Sequence, residues 1–185
     1  MKRRRYILLL VSLLMMAVQL RAQQGTEAAN GIKFFKGTFS EALVKAKQDN
    51  KILFVDFYAV WCVPCKKMAK TVFTQEEVGK YFNEHFISLQ LDAEKGENVD
   101  IAKNYKVAAY PTVAFIAPDG KALSVNTGAM DKDELMEAAK IAAGESVSFE
   151  ELYNKYKADN NDLDVQQQLL LKAPSFLQAQ EGMDA

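Results

Sequence analysis

A dense apolar run that leads directly into two closely spaced cysteines constrains this chain most. The run at residues 52–59 reads Ile-Leu-Phe-Val-Asp-Phe-Tyr-Ala and is apolar on both faces of an extended strand, as in the centre of a covered sheet. Residues 61–65, Trp-Cys-Val-Pro-Cys, contain both cysteines of the protein. Proline suits the first turn of a helix, where its missing N–H has no intrahelical partner. The sequence therefore predicts a buried strand followed by a helix that begins at the cysteine pair.

The cysteine pair is the first candidate functional site. Free backbone N–H groups and the helix dipole at a helix N-terminus favour a thiolate over a thiol. A structural zinc site needs four ligands, and the chain offers only two cysteines and one histidine, His85. Covalent haem attachment needs histidine directly after the second cysteine, where this chain has Lys66. The strand-to-helix setting favours redox chemistry at Cys62 and Cys65 over two inert thiols, and Cu(I) held between two thiolates is a further alternative.

Residues 1–22 have the pattern of a secretory signal. A basic start at residues 2–5 precedes a mostly apolar stretch that ends at Leu20, and Ala22 offers a small residue for cleavage. The apolar stretch has about 15 residues, fewer than the ~20 that a membrane-spanning helix needs. We therefore predict an exported, periplasmic protein from which residues 1–22 are removed. The alternative is an uncleaved anchor that leaves the domain facing the periplasm.

Export bears on both the charge and the cysteines. The chain has 23 Lys and Arg against 24 Asp and Glu, and residues 1–22 contain five of the basic residues and none of the acidic ones. The remainder would hold 18 basic and 24 acidic residues, a balance that argues against nucleic-acid binding. A disulfide between residues three apart closes so short a loop that it stabilises a fold little. A catalytic pair is therefore favoured over a structural one.

Apolar periodicity and turn residues divide the rest of the chain into strands and helices. We predict strands at residues 32–35, 52–59, 86–91, 112–116 and 122–125, and helices at 38–48, from 62 onward, 74–83, 99–105 and 131–143. This order predicts an α/β domain at residues 32–143, with a mixed sheet flanked by helices. Residues 23–31 are expected to be flexible. Residues 144–185 are expected to form a short helical extension, with a second helix ended by Pro174 and a disordered end; it would pack on the domain or serve as a partner-docking arm.

The element order, with Trp-Cys-x-x-Cys after the central strand, resembles the thioredoxin family over residues 32–143. The resemblance implies the thioredoxin fold and a thiol-disulfide oxidoreductase. Val63 and Pro64 stand where thioredoxin itself has Gly-Pro, and they look more like exported proteins of the disulfide-interchange type. These two residues would tune the redox potential. Neither is a histidine that would stabilise the thiolate further, so we expect a reductant or isomerase rather than an oxidant.

The resemblance also implies roles for four residues outside the pair. Asp56 would lie behind the second cysteine, with a pKa raised by burial, and would exchange a proton with it; the alternative is an ordinary structural hydrogen bond. Pro111 matches the family's cis-proline, and Tyr110 would line a groove for an extended substrate. Trp61 would be a partly exposed platform beside the thiols. The strand at residues 87–91 has no lysine, so proton handling is expected to depend on Asp56 alone.

The predicted mechanism starts at Cys62, expected to be the more exposed thiol, which attacks a substrate disulfide. Cys65, expected to be more buried, resolves the mixed disulfide while Asp56 accepts its proton. We expect disulfide-containing protein substrates, a membrane thiol-electron transporter as the source of electrons, a monomer, and no cofactor or metal. The alternative functions are a thioredoxin-like interaction module without turnover and a Cu(I) carrier.

Overall fold

A computed structural model of the protein describes the backbone of residues 31–181 and the side chains of residues 31–173. The predicted signal at 1–22, residues 23–30 of the predicted flexible segment, and the chain end after residue 181 lie outside the described residues. In chain order the elements are α1 Phe39–Asp49, β1 Ile52–Tyr58, α2 Val63–Thr71, α3 Glu76–His85, β2 Phe86–Asp92, α4 Asn98–Asn104, β3 Thr112–Ile116, β4 Ala122–Thr127, α5 Lys132–Ala142, α6 Phe149–Ala158 and α7 Leu163–Glu181. Within the described range, no helix is both long and apolar enough to cross a membrane.

The four strands form one mixed sheet in the order β2-β1-β3-β4. β2 runs parallel to β1 and places Gln90 opposite Asp56. β3 runs antiparallel to β1 and places Val113 on the other side of Asp56. β4 returns antiparallel to β3 after a turn in which Gly120 has a φ of 89°, a conformation that glycine adopts without strain. The predicted mixed sheet, with its closing hairpin, is confirmed.

Helices cover both faces of this sheet because successive side chains of β1 point to opposite sides. Leu53, Val55 and Phe57 pack with buried residues of α1 and α4. Phe54 packs on the opposite face, with buried residues of α2, α3 and α5. Its ring lies 4.8 Å from that of Phe82 and 5.3 Å from that of Phe115, between centroids. The apolar run that defines β1 is therefore the layer shared by two cores.

Side-chain caps set the starts of two long helices. At α1, the Glu41 N–H donates to Thr38 Oγ1 at 3.2 Å, and the Glu41 carboxylate accepts from the Thr38 N–H at 2.8 Å. At α5, Asp131 and Glu134 make the same reciprocal pair. Each box satisfies backbone donors that the first helical turn leaves unpaired.

Two of the predicted elements differ from the structure. Residues 32–35 do not form a strand: only Phe34 bridges to Ser88 of β2, because the Ile32 N–H donates to Phe73 O and the Lys33 N–H to Asn83 Oδ1 instead. The second helix of the extension does not end at Pro174, since α7 continues to Glu181. Proline removes one backbone N–H, but its fixed φ is compatible with helical geometry.

The extension consists of α6 and α7 and lies against α5. Leu152 of α6 and Val165 of α7 are buried. Lys172 of α7 forms an ion pair with Glu137 of α5, and its Nζ donates to Ser146 Oγ at 2.9 Å. The polar contacts of Lys172 therefore join the extension to α5 and to the segment that follows it.

Candidate active site

The two cysteines lie at the start of α2, just after the end of β1. Cys62 is the N-cap residue of α2, and its Sγ accepts a hydrogen bond from the Cys65 N–H at 3.1 Å. Pro64 occupies the first turn of the helix, as its sequence position predicts. The two residues form a disulfide, with their Cα atoms 5.4 Å apart. The Cys65 N–H that donates to the Cys62 sulfur would also stabilise a thiolate at Cys62 in the reduced protein.

The expected difference in exposure between the cysteines is not present in this disulfide-bonded form. Cys62 is 2% exposed and Cys65 5%, so the prediction that Cys62 is the more accessible residue is wrong for the oxidised state. Both pack in one small cluster with Ala59, against which Tyr58 and Tyr110 also lie. The disulfide turns each sulfur toward the other, and the tyrosines cover the cluster.

Exposed apolar side chains surround the buried disulfide. Val60 and Trp61 are 62% and 63% exposed, and Val63 is 74% exposed. Pro64 is exposed as well. We call these four residues the apolar rim. Large exposed apolar groups grouped around one point are typical of a surface that contacts another molecule.

Trp61 is held at the rim by a carboxylate that the sequence interpretation missed. Its Nε1 donates to Glu94 Oε2 at 2.9 Å. Its ring lies edge-on to Tyr110, with centroids 6.0 Å apart. Glu94 lies just after β2 and is 33 residues away from Trp61 in the sequence. No local pattern marks it as a partner of Trp61. The platform is therefore exposed but oriented from two sides.

Tyr110 and Pro111 reach the cysteines from the segment before β3. The Tyr110–Pro111 peptide bond is cis, and the Pro111 carbonyl accepts a hydrogen bond from the Gly128 N–H at 2.9 Å. Burial raises the pKa of the Tyr110 hydroxyl, and the negative charges of Glu94 and Asp92 add to that effect. The structure thus brings Tyr110 and Trp61 together beside the disulfide, with carboxylates nearby.

Asp56 lies in the centre of the sheet and is 2% exposed. Alternation along β1 puts it on the same face as Phe54, which packs on α2, and in line with Tyr58 of the cysteine cluster. Burial raises its pKa from 3.8 to about 6, and a hydrogen bond from Gln90 opposes part of that increase. A carboxyl group that titrates near neutral pH suits proton exchange with a thiol.

Gln90 is a second residue that the sequence interpretation missed. Its Nε2 donates to Asp56 Oδ2 at 3.0 Å, so Asp56 does not stand alone at the centre of the sheet. The only signal in the sequence is a polar residue between Leu89 and Leu91, in a strand that also contains Ser88 and Asp92. Its pairing with Asp56 follows from the register of β1 with β2, which no local pattern reveals.

Metal ligands are not clustered in the part of the chain that the structure describes. There, no group of three or more His, Cys, Asp and Glu side chains is arranged to hold a metal ion. The site thus consists of the Cys62–Cys65 disulfide, the apolar rim, the buried Asp56 carboxyl group, and the segment at Tyr110 and Pro111.

Comparison with known proteins identifies the family. The family model of the thioredoxin-like domain matches residues 39–142. The chain belongs to the thioredoxin-like family. Cys62 and Cys65 form the CxxC-type redox-active pair that is typical of the thiol-disulfide oxidoreductases in this family, as the sequence predicts.

Individual relatives agree with this assignment. The chain is 35% identical over 68 residues to thioredoxin-1 of Drosophila melanogaster, covering 37% of this chain and 59% of that protein. It is 34% identical over 80 residues to the thiol:disulfide interchange protein DsbD of Pseudomonas fluorescens, covering 43% of this chain and 14% of that protein. Among solved structures, a candidate disulphide-isomerase from Bacteroides thetaiotaomicron is 43% identical, with a TM-score of 0.58, covering 64% of this chain and 98% of that one. The chain thus spans less than two thirds of those two curated relatives.

Proposed function

We propose that this protein is exported to the periplasm and reduces or isomerises disulfides of other proteins through Cys62 and Cys65. The observation that carries the proposal is a Cys62–Cys65 disulfide at a helix N-terminus, surrounded by the exposed side chains of Trp61 and Val63. A buried structural disulfide would not need an exposed apolar rim. The signal pattern of residues 1–22 supports export.

In the reduced protein, the Cys62 thiolate attacks one sulfur of a substrate disulfide. A sulfur–sulfur bond forms between Cys62 and that sulfur, the substrate bond breaks, and the other substrate sulfur leaves as a thiolate that takes up a proton. Cys65 then gives its proton to the Asp56 carboxylate and attacks the Cys62 sulfur. The second substrate sulfur leaves, two electrons have passed to the substrate, and the enzyme holds the Cys62–Cys65 disulfide.

Tyr110 and Pro111 are proposed to bind the substrate backbone beside the pair, with Trp61 as the platform under which the mixed disulfide forms. The contact of Tyr110 with the cysteine cluster supports this placement. So does its edge-on contact with Trp61. The apolar rim would bury the residues that flank the substrate disulfide.

Val63 and Pro64 favour reduction over oxidation, because neither adds a hydrogen bond or a positive charge that would stabilise the Cys62 thiolate. Family potentials extend from about −270 mV for thioredoxin to about −120 mV for DsbA. We expect a value in the lower part of that range from equilibration with glutathione or dithiothreitol buffers. A potential near −120 mV would contradict the reductant assignment.

A reductant in an oxidising compartment needs a supply of electrons. We propose a membrane thiol-electron transporter that reduces the Cys62–Cys65 disulfide after each turnover. The likeness to a thiol:disulfide interchange protein supports this class of partner. The protein itself is proposed to act as a monomer.

Insulin reduction with dithiothreitol as electron source tests the enzymatic part. Wild type should accelerate the reduction, and Cys62→Ser should abolish the acceleration. Cys65→Ser is the matched variant: it should also lose turnover but should accumulate a mixed disulfide, which Cys62→Ser cannot form through the same sulfur. A wild type that is inactive with reductant supplied would favour the interaction module instead.

Fractionation of a Gram-negative host tests export. The full chain should appear in the periplasmic extract at the mass expected for cleavage after Ala22, and a chain without residues 1–22 should remain in the cytoplasm. Recovery of the uncleaved chain with the membrane pellet would favour the anchored alternative.

A further inference from the structure

Asp56 is the one charged residue that is buried within the described part of the chain. Transfer of a carboxylate from water into a protein interior is costly unless hydrogen bonds compensate it. The Gln90 Nε2 to Asp56 Oδ2 bond, at 3.0 Å, is that compensation, and among the described residues no other side chain donates to Asp56. The state of this carboxyl group therefore depends on a single side-chain amide.

The register of the sheet builds this contact. Asp56 and Gln90 are directly paired across the parallel strands β1 and β2, so their side chains point to the same face. Gln90 is half-buried and Asp56 is buried. The amide therefore reaches the carboxyl group from the edge strand β2, as a donor without a charge.

Other groups around Asp56 either are apolar or oppose its ionisation. On β1 the nearest titratable group is Tyr58, whose pKa is raised by burial and by the charges of Asp92 on β2 and of Asp56 itself. On β3 the paired residue is Val113. Buried residues of the helices on this face are apolar: Met68 of α2, Val78 and Phe82 of α3, and Leu135, Met136 and Ala139 of α5. Cys62 and Cys65 are joined in a disulfide and offer no titratable thiol in this form, so the donor that favours the carboxylate is Gln90.

We propose that Gln90 is a positioning residue of the redox centre, whose amide orients the Asp56 carboxyl group and sets the pH range in which it exchanges a proton with Cys65. This inference rests on the proposed function. It deepens that function by assigning the control of proton transfer to a residue on the neighbouring strand.

Two substitutions move Asp56 in opposite directions. Gln90→Met keeps the length of the side chain but removes the donor, so the protonated form of Asp56 gains stability. Gln90→Lys adds a positive charge, so the carboxylate gains stability. Ser88→Ala is the matched control, because Ser88 lies on the same strand and its buried hydroxyl has no hydrogen-bond partner within the described residues.

NMR titration of the Asp56 carboxyl carbon in the oxidised protein tests whether Gln90 controls the ionisation of Asp56. The Asp56 signal is identified by its absence in Asp56→Asn. Its midpoint should rise by about one pH unit in Gln90→Met and fall by about one in Gln90→Lys, the amount that one hydrogen bond or close charge contributes. Ser88→Ala should leave it unchanged. Midpoints that do not move, or that move in the same direction, overturn the proposal.

The pH profile of insulin reduction tests whether that control extends to proton exchange with Cys65 during turnover. The limb of kcat/KM that reports Asp56 should shift with the NMR midpoint in each Gln90 variant, and a merely structural role of Gln90 would lower activity equally at every pH. Profiles that keep the wild-type midpoint overturn the proposal while leaving the proposed function intact. A wild type without activity refutes the proposed function, and with it the link to Cys65, whereas the NMR titration still decides whether Gln90 controls Asp56.

Discussion

Asp56→Asn should make the oxidised protein more stable at neutral pH. Asp56 is 2% exposed in the middle of the sheet, so its ionised form is poorly solvated when the protein is folded. Asparagine has nearly the same shape, can still accept the hydrogen bond of Gln90, and does not ionise. The substitution therefore removes a charge that the folded state holds at a cost. Use of the disulfide form keeps the thiols of Cys62 and Cys65 from contributing to the titration.

The magnitude follows from the pKa of Asp56 in the folded state. Burial raises it from 3.8 to about 6, and each pH unit of difference corresponds to about 1.4 kcal/mol, which gives about 3 kcal/mol in total. Because the folded pKa is the higher one, the stabilisation by the bound proton is complete below about pH 4 and is lost as the pH rises through about 6. Relative to D56N, wild type should lose about 3 kcal/mol across this range.

Urea denaturation followed by far-UV circular dichroism, at half-unit steps from pH 3.5 to 8, measures this difference. Asp100→Asn, at an exposed position of α4, controls for the general effect of removing one negative charge. A difference between wild type and D56N that is flat from pH 4 to 7 would show that Asp56 does not have the raised pKa on which the proton-exchange argument depends.

Three further substitutions test the core, the rim and a helix cap. Phe54→Ala should lower the free energy of unfolding by ~3–5 kcal/mol in urea, because Phe54 is fully buried among three aromatic neighbours; a loss no greater than that of the exposed control Val44→Ala would contradict this packing. Glu94→Gln should shift the indole N–H resonance of Trp61, the one tryptophan, because its carboxylate acceptor becomes a neutral amide; an unmoved resonance would argue against the bond. Thr38→Ala should cost ~1 kcal/mol by breaking the capping box, most of which Thr38→Ser should retain; equal losses in both would exclude a capping role for the hydroxyl.

Local patterns predicted most of the fold because they report which faces of each element are buried. The mostly apolar run from Ile52 to Tyr58 placed β1 in the sheet centre, and Pro64 placed the start of α2. The same reasoning failed at residues 32–35, since Ile32 and Lys33 donate to Phe73 and Asn83, and only the Phe35 N–H donates to the sheet, at Ser88 O. It also failed at Pro174, since a proline weakens a helix without always ending it.

The sequence by itself determined the redox pair, the strand before it and the family. Those depend on neighbours along the chain: Cys62 and Cys65 are three residues apart, and Asp56 stands within the apolar run. Only the tertiary structure decided what surrounds them. The register of two parallel strands brings Gln90 to Asp56, and the loop after β2 brings Glu94 to Trp61. Contacts between residues more than thirty positions apart arise from strand pairing and packing, which no short sequence pattern encodes.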